Sequence, residues 1–253
     1  MHLNTFTIVG RCERTGMLGV AVCTAAPGVG GYCPFARAKV GAVATMSWVN
    51  PYIAIDGLAL MADGMSAKDT LDKLINADPG RAVRQVGMVD AQGGSAAFTG
   101  ENCGKWCGHT NGENFSAQGN ILVGEGTVIA MAETFQNTNS LDLPERLLLS
   151  LEAGMAQGGD ARGKQSAGLL VHWKEEFPYI DLRADEHRHP VPELRRIYQI
   201  ALHQSIPFVA QMPTRENPLG TFSEDIEASM SVAYGPAKTC VRSITRTPSK
   251  ARP

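Results

Sequence analysis

The stretch that most constrains this chain runs from Thr5 to Val22 and carries the pattern of a β-hairpin. Thr5, Thr7 and Val9 alternate with Phe6 and Ile8 in a β-rich run bounded by Gly10. Glu13-Arg14-Thr15-Gly16 supplies turn residues, and Leu18 to Val22 forms the returning apolar strand. A first strand paired in this way belongs inside a sheet. It opens on a threonine with only Met1-His2-Leu3-Asn4 in front of it. Removal of those residues leaves an α-amino group beside the Thr5 hydroxyl, which places nucleophile and base on one residue. Spacing alone favours the plainer reading, in which Thr5 is the ordinary first residue of a strand.

Composition narrows the partners. The chain has 253 residues, enough for a sizeable core, with 43% hydrophobic and 19% charged side chains. A formal net charge of −2 and the lack of a basic face before the last residues argue against nucleic acid as a partner. No apolar run reaches the length of a membrane span, and no charged-then-apolar signal segment opens the chain. The expectation is a cytoplasmic protein with no membrane partner and no cofactor. Six cysteines fit reduced structural thiols. Cys103 and Cys107, with His109 nearby, have an unusual spacing and no second ligand pair, so no metal is expected.

Further along, Gly28-Val29-Gly30-Gly31 lacks the full dinucleotide fingerprint. Lys39 to Ser47 reads as a third strand. Tyr52 to Asp63 reads as a helix with Ile55, Leu58, Ala59 and Ala62 on its apolar face. A second helix starts at Ser66, where Asp69 completes a variant capping box. Arg84–Val89 and Ser95–Phe98 form a hairpin across a Gly-Gly turn. Thr99 to Asn114 is expected as a loop, and Phe115 to Leu122 as a short strand. Helices follow at Thr127–Phe135 and Leu143–Met155, strands at Gly168–Trp173 and Tyr179–Arg183, and a helix from Pro192. Asp181, Arg183, Asp185 and His187 read as an ion-pair network on the surface or at a subunit contact. Residues 205–253, with scattered prolines and a basic end, read as an irregular or partly disordered extension of a 1–204 domain. Paired strands alternating with paired helices predict an α+β fold, a four-layer α-β-β-α sandwich of two mainly antiparallel sheets between helix pairs.

Several blocks in order resemble the bacterial family known as domain of unknown function 1028, whose fold is of the N-terminal-nucleophile (Ntn) hydrolase type. They are Thr5–Val9, Leu18–Val22, Phe35–Thr45, Asp78–Gly87, Ser116–Leu122, Gly158–Ala167 and Tyr179–His187. The resemblance extends from Thr5 to about Tyr198. It implies an amide-type C–N hydrolase acting on a small molecule, with Thr5 as nucleophile once residues 1–4 are removed. Its α-amine, with an unperturbed pKa of roughly 7.7–8.0, is then the base. Asn120 is the candidate for an oxyanion hole. Asp160 and Ser166 are assigned to polarising the new N-terminus.

Gln118, Arg162 and Gln165 are candidates for substrate binding, as is Arg37 for a substrate carboxylate. Each has a plainer alternative. Gln118 and Asn120 also fit a turn whose amides satisfy backbone, the Asp160–Ser166 loop also fits a pin between sheets, and Arg37 also fits a packing arginine. Proteasome-like members add an aspartate and a lysine, whereas this chain has no Asp before Asp56 and no Lys before Lys39. Cys23 or Thr24 stands where that aspartate falls. The competing functional reading is a non-catalytic ligand-binding or assembly protein on the same scaffold, and a homo-oligomer is expected in either case.

Overall fold

The computed structural model describes residues 5–221. Met1–Asn4 and the chain from residue 222 onward, including Cys240 and most of the expected extension, lie outside the described residues. The chain divides into two units, Met1–Leu202 and His203–Pro253.

The first unit is α+β with two antiparallel sheets. The larger is built from β1 (Thr5–Arg11), β2 (Leu18–Thr24), β7 (Trp106–Gly112), β8 (Phe115–Leu122), β9 (Ser166–His172) and β10 (Ile180–Ala184), in the order β10-β9-β2-β1-β8-β7. The smaller is β3 (Pro34–Arg37), β4 (Gly41–Ser47), β5 (Arg84–Asp90) and β6 (Ser95–Thr99), in that order. The helices are α1 (Pro51–Ala62), α2 (Ala67–Ala77), α3 (Gly126–Asn137), α4 (Leu143–Ala156) and α5 (Pro190–His203). The second unit contains the short α6 (Ser205–Val209).

Period-two alternation decides which side of each strand meets which neighbour. Val9, Leu18, Val20 and Val22 of the large sheet pack on Ala42, Ala44, Met46 and Val89 of the small one. On its other side the small sheet offers Val43, Val86 and Met88 to Ile53, Leu58 and Met61 of α1 and to Leu71 and Ile75 of α2. The outer side of the large sheet lies close under α3 and α4. A Cβ placed on Gly10 would sit 2.6 Å from the Phe135 ring and 3.1 Å from Leu147, so only glycine fits there.

Ser66 caps α2 as expected, its hydroxyl accepting from the Asp69 N–H at 3.1 Å; the Asp69 carboxylate returns to that hydroxyl at 2.7 Å and not to the Ser66 backbone, so only half of the capping box is made. Three expectations need correction. The segment expected as a loop from Thr99 to Asn114 contains a strand, β7, whose ladder to β8 supplies hydrogen bonds that Gly108, Asn111 and Gly112 do not advertise by propensity. Pro34–Arg37 forms an edge strand where none was expected, with the proline at its first residue. In α1 the buried face is Ile53, Ala54, Gly57, Leu58 and Met61, while Ile55 is 49% exposed. Small residues at 54 and 57 let the helix approach the sheet, and that outweighs the larger side chain at 55.

Gly87 faces the fully buried Gln118 across the gap between the sheets, and a Cβ there would collide with the Gln118 amide. That amide is held at both ends, so it has nowhere to move. Gly87→Ala is therefore expected to destabilise the protein by about 1–3 kcal/mol in urea unfolding. A change below about 0.5 kcal/mol would show that the inter-sheet space is looser than described.

Candidate active site

Four neighbouring strands of the large sheet end in one polar row. In register, Ser166 of β9 lies beside Thr24 of β2, Thr24 beside Thr5 of β1, and Thr5 beside Asn120 of β8. Cys107 of β7 continues the row beyond Asn120. Residues directly opposite on paired strands share a face of the sheet, and this face is the one turned toward the small sheet. Thr5, Thr24, Asn120 and Ser166 are all buried. The Thr5 hydroxyl donates to the Thr24 hydroxyl at 3.2 Å.

Of the two residues expected at the aspartate position, Thr24 is thus the one beside Thr5. Cys23 pairs with Phe6 on the opposite face, and burial pushes its thiol up, so it is held as a neutral core residue.

Gln85 on β5 organises the site from across the gap. Its Nε2 donates to the Gly119 carbonyl at 2.8 Å, to Thr99 Oγ1 at 3.0 Å and to the Gly108 carbonyl at 3.1 Å. Three acceptors fix which end of the amide is nitrogen. Its Oε1 therefore needs a donor, and Asn120 Nδ2 supplies it at 2.9 Å. This sets the Asn120 amide in turn, leaving its Oδ1 as a buried acceptor without a partner. An orphaned buried acceptor costs about 1–3 kcal/mol, so its retention calls for a reason. Strain lies beside it. Ile121, the next residue, has φ +50°, and Ser47, which pairs with Arg84 beside Gln85 at the end of β4, has φ +63°. A β-branched residue in the left-handed region is a true outlier, and such outliers gather at functional sites.

The remaining candidates fall out as follows. The Asp160 carboxylate is buried; it accepts from the Ala25 N–H at 3.1 Å and the Arg162 N–H at 2.8 Å. Residue 160 also bridges to Leu122 at the end of β8. It thereby brackets the Thr24–Thr5–Asn120 row from both sides. The Arg162 guanidinium lies 3.7 Å from it and is 40% exposed, at the rim. Ser166 is committed elsewhere, since its hydroxyl donates to the Ala26 carbonyl at 2.5 Å and accepts from the Val29 N–H at 3.1 Å. It pins the loop after β2. Gln165 joins through its backbone, its N–H bonding the Thr24 carbonyl at 2.7 Å.

Gln118 is spent within the sheets. Its Nε2 donates to Thr7 Oγ1 at 2.5 Å, Thr7 donates on to the Met46 sulfur at 3.1 Å, and Gln118 Oε1 accepts from Ser116 at 2.6 Å. Arg37 is not brought to the site. It pairs with Gly41, whereas Thr7 touches Met46, five residues further along β4, so Arg37 stands at the other end of the small sheet. Among the described residues no group of three or more His, Cys, Asp or Glu side chains is placed to hold a metal, and Cys103 donates to the Arg84 carbonyl at 3.1 Å. No described helix is long and apolar enough to cross a membrane.

Sequence reasoning missed Gln85 and Ser47. The signal for Gln85 was present: it shares the inward phase of β5 with Gly87 and Val89, where an uncharged polar residue needs partners.

The model of the Family of unknown function (DUF1028) matches residues 5–194. The chain belongs to this family. A DUF1028 protein from Silicibacter pomeroyi, known from its crystal structure, is 28% identical over 87% of this chain and 100% of its own, with a TM-score of 0.78. Anbu (ancestral beta-subunit) from Yersinia bercovieri aligns over 83% of this chain and 98% of its own, with 12% identity and a TM-score of 0.35. No curated protein matches the chain.

Replacing Gln85 by leucine keeps the volume while stripping partners from Asn120, Gly119 and Gly108. The expected cost is about 3 kcal/mol by denaturant unfolding, as for a buried polar network broken on one side. A loss under about 1 kcal/mol would mean that the amide bridge does not set the site.

Proposed function

We propose that this DUF1028 protein is an Ntn-type hydrolase of a small-molecule amide or related C–N bond, with Thr5 as nucleophile after residues 1–4 are removed. The observation that carries this reading is the pairing of Thr5 with two polar neighbours in one row. Thr24 Oγ1 is 3.2 Å from its hydroxyl, and the partnerless Asn120 Oδ1 is on the strand at its other side. On this reading the packing of α1/α2 on the small sheet and α3/α4 on the large one is the four-layer α-β-β-α sandwich of that fold, with residues 1–204 as its domain.

The chemistry follows from what each atom can do. An acceptor such as Asn120 Oδ1 suits an N–H donor and repels an oxyanion. We therefore assign Oδ1 to the freed α-amine of Thr5, and leave to the second hydrogen of Asn120 Nδ2 the oxyanion role first expected of this residue. The neutral amine takes the proton of Thr5 Oγ1 as that oxygen attacks the substrate carbonyl. Thr24 can rotate its hydroxyl to donate to the developing alkoxide. The resulting ammonium, held by Asn120 Oδ1, returns the proton to the departing amine as the C–N bond breaks. Water, deprotonated by the same amine, then cleaves the ester on Thr5. Asp160 acts as a positioning residue through Ala25 and Leu122. Arg162, at the rim, is the candidate for contact with an acidic substrate group.

A β-lactone tests the nucleophile without knowledge of the substrate, because ring opening leaves an acyl ester on the attacking hydroxyl. Peptide mass spectrometry is expected to find that ester on Thr5, absent in Thr5→Ala and formed about tenfold more slowly in Thr24→Val, the typical scale for losing one hydrogen-bonding partner at a reacting group. Equal labelling of the Thr5→Ala protein, or an ester at another residue only, would remove Thr5 from the mechanism.

A further inference from the structure

The opposite end of β1 carries a second concavity. Six strand steps, about 20 Å, separate Thr5 from Arg11. There a cavity of about 380 Å³ opens between the end of β1, the β7–β8 turn and the α3–α4 connection, lined by Arg11, Cys12, Arg14, Asn114, Phe135 and Arg146 among others. Its volume falls in the lower part of the range of small-ligand sites.

Three guanidinium groups share this cavity, and the protein neutralises them poorly. Arg146 is only 6% exposed, its Cζ lies 3.9 Å from the centroid of the Phe135 ring, and its Nη2 donates to the Phe135 carbonyl at 3.0 Å. Arg11 donates through Nη1 to Asn114 Oδ1 at 2.7 Å. Both have a buried Nε without a partner; Arg146 also meets the Cys12 thiol, and among the described residues neither forms an ion pair with a carboxylate. Arg14 bonds the Ser140 and Leu141 carbonyls at 3.1 and 2.9 Å and reaches Asp142 only at 3.5 Å, in the open. Carbonyls and an aromatic face orient a guanidinium without cancelling its charge. A buried cation lacking its counter-charge is costly, and the usual resolution is an anion.

Cys12 reports the same field. Burial alone would push its thiol up. Hydrogen bonds from Thr15 and the Arg14 N–H, together with the Arg14 charge, outweigh that and bring it below its ordinary value. Glu13 and Glu113 also line the cavity but are exposed, so acidic groups confine the cationic zone to its interior. That excludes a polyanion and leaves room for a compact one.

We propose that this cavity is a binding site for a small oxyanion, the carboxylate or phosphate group of a metabolite, held by Arg11 and Arg146 with Arg14 at the entrance. Planar guanidinium groups match both oxyanions in geometry. The site is separate from the Thr5 row and stands whether or not Thr5 is a nucleophile.

Calorimetric titration of the full chain with inorganic phosphate and, in a second arm, with succinate, each at constant ionic strength against chloride, tests the proposal. Saturable one-site binding of at least one ion is expected, and the arm that binds tells phosphate from carboxylate. Arg11→Gln, which keeps an N–H donor for Asn114, is expected to weaken it about tenfold or more, Arg14→Gln, on an exposed side chain, to weaken it less, and the exposed Arg81→Gln to leave it unchanged. Absence of saturable binding of either ion at millimolar concentration overturns the proposal, as does unchanged affinity in Arg11→Gln.

Discussion

Everything at the Thr5 row depends on one buried amide bridge between the sheets. Gln85 reaches from the small sheet and bonds the backbone of β8 at Gly119 and that of β7 at Gly108. It thereby fixes the spacing of the sheets, and through its Oε1 it fixes the Asn120 amide. A second chain of bonds, from Ser116 through Gln118 and Thr7 to Met46, ties the same gap one step further in. Apolar side chains fill the rest of the interface. Packing alone tolerates small slides, whereas directional bonds to fully buried partners do not. The polar half of the interface sets register and leaves stability mainly to the apolar half.

That rigidity gives the site its chemical character. The row Thr24, Thr5, Asn120 is held by strands rather than loops, with Asp160 bracing both flanks through Ala25 and Leu122. Strain at Ile121 and the bare acceptor of Asn120 persist because the surrounding bonds over-determine them. On the proposed reading, the bare acceptor of Asn120 takes the α-amino group of Thr5 as its donor. The arginine cavity at the other end of β1 follows the same logic with the sign reversed: donors in surplus, and a negative group to be supplied from outside.

The sequence made the scaffold legible wherever local chemistry and packing agree. The Thr5–Val22 hairpin, the Ser66 cap and the paired helices α3 and α4 all carry period and punctuation that the fold respects. It misled where a neighbour decides the outcome. The β7 strand exists because β8 lends it a ladder, and α1 turns Ile55 outward because Ala54 and Gly57 can come closer to the sheet. At the site, Thr5, Asn120 and Asp160 could be named from order along the chain and from family resemblance. For Gln85 the inward phase of β5 marks a buried polar residue in need of partners, but its partner Asn120 lies 35 residues away in sequence and only the fold names it. Ser166 stood in the right row, but its hydroxyl is taken by the loop after β2, a fact that register alone does not reveal. Arg37 lies at the other end of the small sheet from the row, which its residue type could not indicate.

The central claim is that Thr5 works with a free α-amino group, and one measurement addresses it directly. Intact mass together with N-terminal sequencing of the protein purified from its own organism reads the first residue. The account predicts a chain beginning at Thr5. A chain that retains Met1 or begins at His2 would deny Thr5 its base and contradict the proposed mechanism.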